Sequence, residues 1–170
     1  MRRLRALISS AAFIHFSSNR YRLTYFFTPP KNIFYILKME FVGKKYKMIS
    51  SENFDEFMKT IGVGLITRKA ANAVTPTVEL RKDGDSYNLV TSSTFKTTEM
   101  KFVPGQEFDE DRADGAKVKS VCTFEGNTLK QVQKAPDGLE VTYVREFGPE
   151  ELKAVMTAKD VTCTRVYKVQ

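Results

Sequence analysis

Residues 161–169 read VTCTRVYKV, and the way these nine side chains divide decides the fold. Nine positions rich in Val, Thr and Tyr, with no Gly or Pro, have the composition of a β-strand. Successive side chains of a strand point to opposite faces. Val161, Cys163, Arg165, Tyr167 and Val169 therefore share one face, and Thr162, Thr164, Val166 and Lys168 share the other. The first face is the apolar one and should point inward, yet it carries an arginine.

The stretch LEVTYVREF at 139–147 repeats the anomaly. Leu139, Val141, Tyr143, Arg145 and Phe147 share a face on which Arg145 is the only charge. The two arginines stand 20 residues apart, room for one intervening strand over about Leu152–Thr157, so both can look into one interior. A guanidinium keeps its charge at any accessible pH, and a buried charge without a partner costs several kcal/mol. Two in one enclosure call for an anion, an internal acid or ordered water. No Asp or Glu shares either of these two faces. An external anion is then the natural partner, and a carboxylate matches the guanidinium fork. Tyr167, two residues from Arg165 on the same face, can donate its hydroxyl. A guanidinium that reaches a rim, or a strand read one residue out of register, would remove the demand.

Working outward, Gly- and Pro-containing turn signals recur after residue 75: Asp83-Gly84, Pro104-Gly105, Asp114-Gly115, Gly126-Asn127, Pro136-Asp137-Gly138 and Gly148-Pro149. β-rich runs lie between them, which indicates an all-β barrel or sandwich built from hairpins. The exception is 53–73. Asn53 with Glu56 three residues on forms a capping-box pattern. Phe54, Phe57, Met58 and Ile61 fall at helical spacing on one face. Gly62 ends that helix, a second short helix fits Leu65–Ala73, and Pro76 leads into the strands. Two short helices after the first strand could close one mouth of a barrel, and their apolar face would pack on its core.

Charge narrows the function. Residues 1–38 hold Arg2, Arg3, Arg5, Arg20, Arg22, Lys31 and Lys38 and no acid, which accounts for the whole net charge of +7. The remaining 20 basic and 20 acidic residues cancel, so the domain has no net charge with which to hold nucleic acid. Cys122 and Cys163 are not in a CxxC spacing, and two buried free thiols are expected, with no metal site and no cofactor. The one histidine, His15, lies in the basic segment, and no nucleophile-elbow, HExxH, phosphate-loop or dinucleotide-binding motif occurs. No catalytic residue is expected, and Asp109-Glu110, beside a turn, reads as solvated charge.

Residues 1–38 are Arg-, Ser- and aromatic-rich and acid-free, as mitochondrial transit peptides are. The patterned domain starts at Met39, so this extension also reads as translated upstream sequence or an alternative first exon, or as an ordered or regulatory arm. Little regular structure is expected in it. No apolar run approaches the ~18 residues of a membrane-spanning helix.

With these features in hand, residues 39–170 resemble the intracellular lipid-binding proteins, and among them the fatty-acid-binding branch. The resemblance is carried by Gly43, Tyr46-Lys47, the run SENFDEFMK at 51–59, IGVG at 61–64 and Thr67-Arg68. It continues through KDG at 82–84, STFKTTE at 93–99, EFDE at 107–110, Ala113-Asp114 and KVKS at 117–120. It closes on Val144-Arg145-Glu146 and CTRVY at 163–167. It implies a ten-stranded antiparallel up-and-down β-barrel of the lipocalin-like (calycin) class with a helix-turn-helix lid. It also implies a monomer that carries one long-chain fatty acid in the cytoplasm, with the carboxylate on Arg145, Arg165 and Tyr167. Phe54 and Met58 would line the lid and Phe95 the portal. Tyr46 stands where many vertebrate relatives have tryptophan. The resemblance leaves three further roles open: carriage of retinoic acid, ligand delivery or scaffolding in the nucleus, and transient membrane contact through Lys59, Arg68 and Lys69.

Overall fold

The computed structural model describes residues 40–112 and 115–170. The 1–38 extension, Met39, Ala113 and Asp114 lie outside the described residues, and with them the first residue of the expected Asp114-Gly115 turn. Ten strands and two helices follow one another: β1 (Lys45–Glu52), α1 (Phe54–Thr60), α2 (Leu65–Asn72), β2 (Thr77–Asp83), β3 (Ser86–Ser92), β4 (Thr97–Phe102), β5 (Glu107–Asp111), β6 (Lys117–Glu125), β7 (Thr128–Lys134), β8 (Glu140–Phe147), β9 (Glu151–Ala158) and β10 (Val161–Val169). The sheet order is β4-β3-β2-β1-β10-β9-β8-β7-β6-β5, and every paired neighbour is antiparallel. β10 returns to β1, so the chain wraps into a nearly closed up-and-down barrel whose seam lies between β4 and β5.

The alternation read from the sequence positions the interior. β9 buries Leu152, Ala154, Met156 and Ala158, and β10 buries Cys163, Arg165 and Tyr167. One apolar cluster packs aromatic rings at one end of the barrel: Phe41, Tyr46, Tyr87, Phe102 and Phe147, with Phe124 against them. Phe41 stacks on Phe147 at 4.7 Å between centroids, and the Tyr46 hydroxyl donates to the Gly148 carbonyl at 3.0 Å. A second cluster gathers Phe57, Met58, Ile61 and Val63 from the helical segment onto Val141, Met156, Ala158 and Cys163.

Two local expectations are corrected. Asn53 does precede α1, but no side-chain cap forms there. Its backbone is left-handed (φ 58°), and its amide nitrogen donates instead to the Thr162 carbonyl at 2.9 Å. A strand-end tie to β10 has replaced the capping box. Arg68 is not a free surface charge: it donates to Asp55 at 3.2 Å and to the Val63 carbonyl at 2.9 Å, and its side chain is only 14% exposed. Gly62, by contrast, ends α1 with φ 90°, a conformation that favours residues without a Cβ.

Candidate functional site

Strand register brings the two arginines into one row. Arg145 on β8 and Arg165 on β10 both sit directly opposite Ala154 on β9. Directly opposed residues share a face, so the order is Arg145, Ala154, Arg165, with Ser51 of β1 next. The two α-carbons are separated by two strand spacings, roughly 10 Å. From this row the two guanidinium groups turn away from Ala154 to partners on opposite sides, Arg145 to Gln131 of β7 and Arg165 to Ser51 of β1.

Their surroundings differ. Arg165 is 8% exposed, donates from Nε to the Ser51 hydroxyl at 3.0 Å, and lies flat on the Phe54 ring of α1, 3.2 Å from guanidinium carbon to ring centroid. Both contacts are to neutral groups. Arg145 donates to Gln131 Oε1 at 2.9 Å and stands 4.9 Å over the Tyr143 ring. Burial pulls its pKa below the ordinary arginine value, opposed by Tyr143, Cys122, Tyr167 and Glu110. Arg145 as a residue is half-buried. Tyr167, 5% exposed and two residues from Arg165, belongs to the aromatic cluster below.

The polar chain continues across three more strands. Gln131 donates from Nε2 to Glu110 Oε2 at 2.7 Å, and Ser120 donates to the same oxygen at 2.6 Å. Glu110 therefore corrects the sequence reading. It is half-buried on the inner face of β5, whereas Glu107, Asp109 and Asp111 are exposed. The signal was present: Glu110 alternates in phase with Phe108, the only apolar residue of that strand. Gln131 and Ser120 were also missed, and both sit between buried residues of their own strands.

Among the residues expected at the lid, Phe54 touches Arg165 and Met58 is buried in the second cluster. Phe95 is 79% exposed on the turn between β3 and β4 and belongs to neither cluster. A solvent-open cleft of about 470 Å³, lined by Met48, Ser51, Phe54, Asp55, Asn72 and Arg165, reaches Arg165. A wider groove of about 900 Å³ beside Ile61 and the β7–β8 turn contains none of the predicted site residues. Burial pushes the Cys122 thiol up to about 12 and the Cys163 thiol to about 11, so neither is an activated nucleophile.

Residues 42–170 match the profile of the lipocalin / cytosolic fatty-acid binding protein family. Among characterised relatives, the sodium/calcium exchanger regulatory protein 1 of Doryteuthis pealeii is 48% identical over 125 residues, covering 73% of this chain and 92% of that protein. The crystal structure of a fatty acid-binding protein from brain tissue of Drosophila melanogaster is 53% identical with a TM-score of 0.74, covering 76% of this chain and 99% of that one. A Schistosoma mansoni fatty acid binding protein in complex with arachidonic acid is 41% identical with a TM-score of 0.72, covering 76% and 96%.

Proposed function

The chain belongs to the lipocalin / cytosolic fatty-acid binding protein family, and from that premise we propose that it binds one long-chain fatty acid inside its barrel and carries it, without turnover, through the cytoplasm. Arg145, Arg165 and Tyr167 hold the carboxylate; Phe54 and Met58 cover the tail from the lid, and Phe95 borders the portal. The observation that carries this reading is the row of two arginines that flank Ala154 on an inward face. Each methylene taken out of water contributes roughly 0.8 kcal/mol, so the tail supplies most of the affinity. The arginines supply the choice of head group, since an ester or an alcohol would leave them unpaired. The arachidonic acid held by the Schistosoma mansoni relative is the kind of ligand this arrangement suits.

Residues 39–170 form the binding unit, which acts as a monomer, and residues 1–38 are the part that would redirect it to mitochondria. Transient contact with a membrane surface is supported by Leu65 and Ile66 of α2 and by Phe95, which are 56%, 87% and 79% exposed. The test of the site is displacement of a fluorescent fatty acid from the wild type and from Arg165→Gln. Removing one partner of a buried charge pair costs several kcal/mol, so roughly a hundredfold weaker binding is expected, with the fold retained. Equal affinities would remove the site from the account.

A further inference from the structure

The two arginines are not equivalent, and the difference lies in what already neutralises them. Arg165 has a hydroxyl and a ring as partners. Arg145 is connected through one amide to a carboxylate. Gln131, 1% exposed, accepts from Arg145 on its oxygen and donates to Glu110 from its nitrogen. Those two charged neighbours fix the orientation of the amide, because only its oxygen can face a guanidinium and only its nitrogen a carboxylate. Ser120, fully buried, spends its hydroxyl proton on the same carboxylate oxygen. The acid thus faces inward, with its charge near Arg145.

We infer that Glu110 is a specificity-determining residue: it offsets Arg145 through Gln131, leaves Arg165 as the unbalanced cation, and so tunes the cavity to head groups bearing a single negative charge. The inference rests on the fatty-acid reading above and deepens it. A carboxylate meets one uncompensated positive charge and is matched by it. A dianionic head group on the same tail doubles both its attraction to the arginines and its repulsion from Glu110, since Coulomb energy scales with the product of charges, so Glu110 penalises it by one further unit-charge repulsion relative to a carboxylate. Glu110 touches no reacting atom and acts on the ligand only through the field.

The probes are palmitate and hexadecyl phosphate, compared by displacement titration well above pH ~6, where a phosphate monoester carries its second charge. The wild-type ratio is the reference. Glu110→Gln should shift the palmitate-to-phosphate affinity ratio toward the phosphate by roughly tenfold, as expected for removing one unit charge at this range in a partly screened interior. Glu110→Asp keeps the charge and should keep the wild-type preference. A Glu110→Gln ratio equal to wild type overturns the inference, as does a Glu110→Asp shift as large as that of Glu110→Gln, because shape rather than charge would then be responsible. Failure of the wild type to bind either amphiphile is a different result and sinks the fatty-acid reading itself.

Discussion

The two ends of the barrel are both apolar and are packed differently. At one end six aromatic rings lock one another, with stacked and edge contacts between 4.7 and 6.5 Å. At the other end the cluster is made of smaller and more flexible side chains, Met58, Ile61, Val63, Ala158 and Cys163 among them. There α2 buries none of its residues fully and is tied to α1 largely through Asp55, which accepts from both Arg68 and Asn72. Rings packed against rings lose contacts on every side when one is removed. A helix held by an exposed carboxylate loses little when it lifts. The tighter packing and the looser packing thus lie at opposite ends.

The comparison is most easily broken at the aromatic end. Phe147, 2% exposed between Phe41 and Tyr46, should cost about 3–5 kcal/mol on replacement by Ala. Denaturant unfolding reads this directly, and a loss below ~1 kcal/mol would show that the rings are not the anchor.

Alkaline pH tests both ends together. Cys122 belongs to the aromatic cluster and Cys163 to the lid cluster. Their folded values, about 12 and about 11, stand above the ~8.5 of an unfolded thiol. Below that unfolded value both states keep the proton. Above it the unfolded chain ionises first, so stability falls as pH rises. Each thiol contributes a loss of up to about 1.4 kcal/mol per pH unit, ending near 11 for Cys163 and near 12 for Cys122. Tyr46, also raised by burial, acts in the same direction. Urea midpoints above pH ~9 should therefore decline, and a double Cys→Ala variant should flatten the slope; an unchanged slope in that variant would acquit the thiols.

Smaller effects are expected at the lid. Asp55→Ala removes the acceptor shared by Arg68 and Asn72, an exposed ion pair worth about 0–1 kcal/mol. Stopped-flow release of a fluorescent fatty acid should quicken several-fold while unfolding hardly moves. If release is unchanged, α2 is not the moving part. Smallest of all, Ile66→Ser should alter stability by no more than about 0.5 kcal/mol, because the side chain is already 87% exposed. Its effect should appear only in the rate of ligand transfer to vesicles, and equal rates would remove α2 from membrane contact.

Legibility followed the same division. Period-two alternation gave β8 and β10 with their inward arginines, because one face of each strand is apolar and the other is not. The turns without Gly were harder. Lys159 makes the β9–β10 turn with φ 54°, and Ser93 makes the β3–β4 turn by accepting from the Phe95 and Lys96 amides. Neither sequence carries the Gly or Pro by which the other turns were read. Glu110 was passed over because acids on both sides of it make β5 look like a solvated run, and only its phase with Phe108 betrays the inner face.

The sequence by itself determined which side chains share a face, where the helical insertion falls, and that two permanent cations must be accommodated among apolar residues. Those are consequences of local periodicity and of the chemistry of arginine. Tertiary structure alone decided that both arginines flank the same alanine, and that one of them is tied through an amide to an acid three strands away. Register between strands distant in the chain is set by the closing of the whole sheet, and no local pattern encodes which residue will stand opposite which.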